Sequence, residues 1–113
     1  MPSRPTPPVA SREESELMSE VLILEFAGVT ADQYLAVNKL LGVDVATGEG
    51  DWPEPLQSHT ASLGDAGLVV VEVWESQDAQ AAFMARLGPA LGEVGLPQPT
   101  RMEWLSLLGR YNA

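Results

Sequence analysis

A single α+β domain ordered strand–helix–strand–strand–helix–strand is what this sequence predicts, and three observations predict it. Two short apolar runs, VLIL at 21–24 and LVVV at 68–71, have the length of strands, and β-branched residues dominate the second. Two stretches of helical periodicity follow capping residues, Thr30 and Ser76. A Gly-Asp-Ala-Gly turn at 64–67 joins two strands with no room for a helix between them. Two crossovers around that central hairpin give the ferredoxin-like βαββαβ arrangement: a four-stranded antiparallel sheet with both helices on one face.

The elements follow in order. Residues 1–17 are rich in Pro, Ser and Glu and hold almost no large apolar side chain, so they are expected to form a disordered tail ahead of a domain at 18–113. Val21 to Phe26 is the first strand, bounded by Gly28. Thr30 caps the first helix, Gln33 occupies the capping-box position and Gly42 closes it. Tyr34, Val37, Leu40 and Leu41 form its apolar stripe. A loop with two glycines and four acids then runs to about Leu56. Strands at about Leu56–Leu63 and Leu68–Glu75 form the hairpin. Ser76 caps the second helix, whose apolar side is Ala79, Ala82, Phe83 and Leu87. Pro89 is expected to break it and to open a short new helix. A last strand runs from about Arg101 to Leu108.

Composition excludes several functions. With no cysteine, there are no disulfides, thiolate metal sites or cysteine nucleophiles. Sixteen acids against six bases give a formal charge of −10, which argues against nucleic acid and anionic membranes as partners. No apolar run is long enough to span a bilayer, and the N-terminal segment lacks the apolar centre of a signal peptide, so a cytoplasmic location is expected. One histidine makes a zinc site improbable, and the loop acids lack calcium-loop spacing. No glycine-rich phosphate loop and no G-x-S-x-G elbow is present. The second helix carries no histidine that could serve haem. Neither a metal nor a cofactor is expected.

The strands pose a question of cover. A sheet with one wet face alternates apolar and polar residues, but VLIL and LVVV do not. The helices cover one face only. A second copy packed sheet to sheet, as a homodimer, would cover the other. The alternative is a monomer covered by MEWLSLLGRY or by the long loop.

The one polar residue inside the apolar third strand is Glu72, and the chain's single histidine, His59, lies on the strand before it. With a two- or four-residue loop centred on Asp65–Ala66, His59 faces Glu72, Ala61 faces Val70 and Gln57 faces Trp74. Directly opposed residues share a face with Cβ atoms about 4.5–5.5 Å apart. A three-residue loop would flip the register and separate them. As a dyad, Glu72 would orient the imidazole and fix its tautomer, leaving His59 as a base. The plainer alternative is a cross-strand ion pair. Trp74 and Gln57 would flank the pair. Tyr34 and Asn38, one helical turn apart, could point into a cleft between helix and sheet, or Tyr34 could be core. Trp52 is either a lid over a pocket or an anchor for its loop.

Four stretches, EFAGVTADQYLAVNKLLG, SHTAS, VVVEVWES and FMARLGPALGEVGLP, together resemble the small proteins of the dimeric α/β-barrel superfamily grouped with antibiotic biosynthesis monooxygenase-like domains. The most specific pieces are the SH pair with an acid thirteen residues after the histidine, then VWES and LGPAL. The resemblance spans about residues 19–108. It implies a ferredoxin-like protomer, a two-fold dimer and a pocket between helices and sheet. The histidine, acid and tryptophan of the pattern match His59, Glu72 and Trp74. The asparagine and tryptophan associated with the aromatic monooxygenases have Asn38 and either Trp74 or Trp104 as candidates. The activity implied is cofactor-independent oxygenation of an electron-rich aromatic or polyketide-type small molecule, with Trp74, Tyr34, Asn38, Gln57 and Trp52 around the substrate. Cyclase or isomerase chemistry with the same base, or a non-catalytic binding or dimerisation module, are the alternatives.

Overall fold

The computed structural model describes residues 19–111 of the chain; the expected tail at 1–17 lies outside them. The elements are β1 (Glu20–Ala27), α1 (Ala31–Leu41), β2 (Leu56–Gly64), β3 (Gly67–Trp74), α2 (Gln77–Val94) and β4 (Arg101–Ser106). They build one four-stranded antiparallel sheet in the order β2-β3-β1-β4. This is the ferredoxin-like βαββαβ fold that the sequence predicts.

Alternation along the central strands sets the two faces. Leu22, Leu24 and Phe26 of β1 and Leu68, Val70, Glu72 and Trp74 of β3 are buried on the helix side. Val29, Leu22, Leu24, Phe26, Leu68, Val70 and Trp74 form the core cluster, and Tyr34, Phe83 and Trp104 pack on it. The opposite face carries Val21, Ile23, Val69 and Val71, all only half-buried.

The hairpin turn sits where the sequence places it. Gly64 pairs with Gly67 around Asp65–Ala66, and from there His59 pairs with Glu72. Gly67 adopts φ +141, and a Cβ there would run into the Phe26 carbonyl oxygen. Only glycine fits both the dihedral and this close approach of β3 to β1. At the other end of the hairpin the expected pairing fails. A bulge falls between Leu56 and Ser58, so Leu56, not Gln57, opposes Trp74. The bulge puts an apolar side chain over the buried end of β3 and leaves Gln57 exposed, where its Oε1 accepts from Ser19 and Arg110.

α1 has the full capping box at Thr30 and Gln33 and ends in left-handed Gly42, as expected. Its inward stripe is shifted, however: Leu40 is 50% exposed, while Asn38 is buried beside Val37. α2 also differs. It runs through Pro89 to Val94 without a break. Leu87, Ala90 and Leu91 continue the inward face that Phe83 begins, and that burial outweighs the hydrogen bond lost at Pro89. Pro89 and Ala85, whose carbonyl goes without that bond, are both exposed, where water can serve it. Ala82 also faces outward, not to the core. The last strand ends at Ser106, two residues earlier than expected.

Candidate active site

A cavity with about 640 Å³ of empty space, open solvent at its mouth included, lies between the two helices and the sheet. Its walls are mostly apolar: Leu24, Phe26, Val37, Leu68, Val70 and Phe83 are representative. Four polar-bearing side chains, Tyr34, Asn38, His59 and Glu72, reach it, together with Trp52. Most of them come from different elements. α1 presents Tyr34 and Asn38 from one face because they are four residues apart. β2 and β3 bring His59 and Glu72 together through the hairpin register.

The polar groups form a chain. Trp74 Nε1 donates to Glu72 Oε1 at 2.9 Å. His59 Nδ1 lies 2.7 Å from Glu72 Oε2, and the Tyr34 hydroxyl lies 2.6 Å from His59 Nε2. The directions follow from chemistry. An ionised carboxylate only accepts, so Nδ1 carries the hydrogen. In the neutral imidazole Nε2 then holds a lone pair, and the tyrosine O–H donates to it. Every donor in the chain thus has an acceptor, which a buried polar group requires. The His59 and Glu72 side chains are only 12% and 10% exposed. Burial pushes the Tyr34 phenol above its ordinary value; the nearby Asn38 amide pulls it part of the way back, and the Glu72 charge adds to the rise.

The arrangement sorts the residues named from sequence. His59, Glu72, Tyr34, Asn38 and Trp52 come together at the cavity. Trp74 does not line it. With 0% exposure it stands behind Glu72, where its indole N–H holds the carboxylate in place; a substrate contact for Trp74 is therefore corrected. Gln57 is likewise displaced: the bulge turns it away from this cavity to a shallower outer hollow that it shares with Ser58, Trp52 and His59. Trp104 packs on the core from β4 and does not line the cavity. The Tyr34–His59 bond and the indole behind Glu72 were not among the sequence expectations. The i, i+2 spacing of Glu72 and Trp74 on one strand face was the available signal for the second.

Trp52 reaches His59 because its loop is tied down. Val43 bridges to Gly50, the Asp44 carboxylate accepts from the Ala46 and Thr47 amides, and Trp52 Nε1 donates to the Glu49 carbonyl. Arg86 of α2 donates to the carbonyls of Asp51 and Leu41, clamping the loop between the helices. The Trp52 and His59 ring centres are then 5.3 Å apart, inclined at 52°. Chemically the site offers one imidazole lone pair, fixed in direction from behind and bonded to the Tyr34 hydroxyl, at the wall of an apolar chamber.

No family model matches the sequence, and no curated protein matches it. Solved structures do. A monooxygenase from the gene ActVA-Orf6 of Streptomyces coelicolor, in complex with nanaomycin D, is 18% identical, covers 87% of this chain and 94% of its own, and superposes with a TM-score of 0.53. A dimeric ferredoxin-like protein of unknown function from Bacteroides fragilis is 9% identical over 78% of this chain and 93% of its own, with a TM-score of 0.44. The first likeness establishes the class: a ferredoxin-like α+β domain sharing its fold with a monooxygenase.

Proposed function

We propose that this protein is a cofactor-independent monooxygenase acting on an electron-rich aromatic or polyketide-type small molecule, with His59 as base and Glu72 holding it. The observation that carries this reading is the Glu72–His59 bond at 2.7 Å, which turns Nε2 toward the Tyr34 hydroxyl at the wall of an apolar cavity. A base so fixed needs no reorientation in the transition state. Low polarity around it favours spreading the charge of a carbanion over an aromatic ring and favours oxygen over water.

The step balances. His59 takes a proton from a phenolic hydroxyl or an activated ring CH₂. The resulting carbanion gives an electron to O₂, the two radicals combine as a carbon peroxide anion, and that anion takes the proton back from His59 to give the hydroperoxide. Loss of water leaves a carbonyl, so one oxygen atom stays in the product and the other leaves as water. Trp52 and Tyr34 flank the ring.

We also infer a homodimer through the outer sheet face. Val21, Ile23, Val69, Val71, Val73 and Leu105 share that face, and neither helix packs on it. An isologous partner presents the same stripe.

The test is oxygen consumption with a panel of anthrone-like and naphthol-like phenols, without added cofactor, with mass analysis of products. Uptake that falls by ~10²-fold or more in His59→Ala is expected for a lost general base. Product formation without uptake would move the protein to a cyclase or isomerase; uptake undiminished in His59→Ala would remove His59 as the base.

A further inference from the structure

Every polar group of the Trp74–Glu72–His59–Tyr34 chain has a partner. Asn38 breaks that rule. It is 7% exposed and lines the cavity, yet its Nδ2 completes no hydrogen bond among the described residues, although it lies near enough to the Tyr34 hydroxyl to pull that phenol's pKa down. Asparagine is a poor residue for a helix interior, because its side chain competes for backbone hydrogen bonds. Val37, Leu41 and Val43 on the cavity wall offer no side-chain acceptor, and the acceptor near the amide is the Tyr34 hydroxyl. Leucine would cover the same wall and favour the helix. A buried donor left unpaired at a cavity points to an acceptor that arrives from outside.

Tyr34 stands one helical turn before Asn38, with its hydroxyl near the amide and on His59 Nε2 at 2.6 Å. We propose that Asn38 Nδ2 and the Tyr34 hydroxyl form a two-donor cradle for one oxygen of the ligand, so that the site takes a planar apolar molecule bearing a phenolate, enolate or carbonyl oxygen. Two neutral donors fixed in an apolar chamber stabilise a developing oxyanion far better than water does, because they need not reorganise. Binding also redirects the tyrosine. Its O–H turns from His59 to the ligand oxygen, and the Nε2 lone pair becomes available. A ligand O–H or α-C–H bond then breaks: its electron pair stays on the ligand as phenolate or enolate, the proton goes to Nε2, and Nδ1–H stays on Glu72. Nothing is oxidised in this step.

The cradle deepens the reading of the same cavity given above, but its test needs neither oxygen nor the base. The probe is 4-nitro-1-naphthol, whose ionised and neutral forms absorb differently, titrated under nitrogen at a pH where the free probe is already ionised. Its methyl ether, which cannot ionise, serves as the control. Wild type is expected to bind the anion. Asn38→Leu is expected to bind it about ten-fold or more weakly, the loss of one hydrogen bond to a charged group, with the ether unaffected. Tyr34→Phe should lose a similar factor. Asn38→Leu should also melt several degrees higher than wild type, because it removes an unpaired buried donor. A structural role for the amide predicts the reverse, a lower melting temperature. Anion binding unchanged in Asn38→Leu, failure of wild type to bind the anion, or a fall in melting temperature overturns the cradle. Failure of oxygen uptake leaves these results standing, and the converse holds too.

Discussion

The two faces of this sheet carry the same kind of polar chain in opposite settings. On the helix side, Trp74, Glu72, His59 and Tyr34 are linked by hydrogen bonds, with the carboxylate buried and the indole sealed behind it. On the outer face, Arg101 donates to Glu25 at 2.9 Å and to Glu103. That trio lies in the open, its side chains roughly 40% exposed or more. Coulombic attraction exists in both. Water competes for the second and is largely excluded from the first, so a lost partner is felt on one face and absorbed on the other. The contrast is why we place the proposed chemistry on the helix side, where a buried charge holds its neighbour in one orientation.

The largest expected effect comes from Glu72→Ala. It leaves the His59 Nδ1–H and the Trp74 Nε1–H without acceptors inside the core, a loss of about 3 kcal/mol. Urea denaturation measures it, read from a lowered midpoint at an unchanged slope. Glu72→Gln separates structure from chemistry. The amide keeps the volume and can still accept from one donor, so stability falls less. Once its NH₂ faces Nδ1, however, the imidazole must carry its hydrogen on Nε2, and the lone pair that the proposed base needs is gone. Activity should fall by ~10²-fold or more while the fold persists. Stability and activity that fall together in Glu72→Gln would mean that the carboxylate only props the core.

A smaller effect, dependent on pH, isolates Tyr34. Burial raises the pKa of its phenol in the folded chain. Below pH ~10, the ordinary tyrosine value, both states hold the proton and stability is unaffected. As the pH rises from there through the raised folded value, the unfolded chain releases its proton first, so stability is lost. Tyr34→Phe cannot show this. At neutral pH it is less stable for want of the bond to His59, and the two stability curves should converge as the solution becomes alkaline. Curves that stay parallel would show that the hydroxyl is effectively in water.

What the sequence makes legible here depends on how local the cause is. Gly64 and Gly67 bracket two residues, and the dihedral at Gly67 admits no side chain; counting back from that turn is enough to put His59 opposite Glu72. Thr30 and Gln33 cap a helix through their own side chains. The misses all have distant causes. Gln57 is expelled by a bulge whose reason is the covering of β3 by Leu56, and Gln57 then finds Ser19 and Arg110, which are 38 and 53 residues away in the chain. Pro89 stays helical because Leu87 and Leu91 share a cavity wall. Asn38 lies inside and Leu40 outside because of how α1 rotates on the sheet, a packing result that a stripe of four apolar letters does not encode. The meeting of Tyr34 with Nε2 depends on the same rotation.

The smallest effect sharpens the comparison from the outer side. Arg101→Ala removes two ion pairs from a face in contact with water, and in a monomer its denaturation midpoint should match wild type at moderate salt, where exposed pairs are screened. Sheet-to-sheet pairing changes that outcome. The trio stands beside Ile23 and Val69 on the face that a second copy would cover, so burial would raise its worth toward that of the inner chain. The midpoint of wild type should then rise with protein concentration, and Arg101→Ala should lag behind it by an amount that vanishes on dilution. Sedimentation at the same concentrations gives the mass directly. A midpoint independent of concentration, with Arg101→Ala indistinguishable throughout, would leave the outer face to water and remove the second copy.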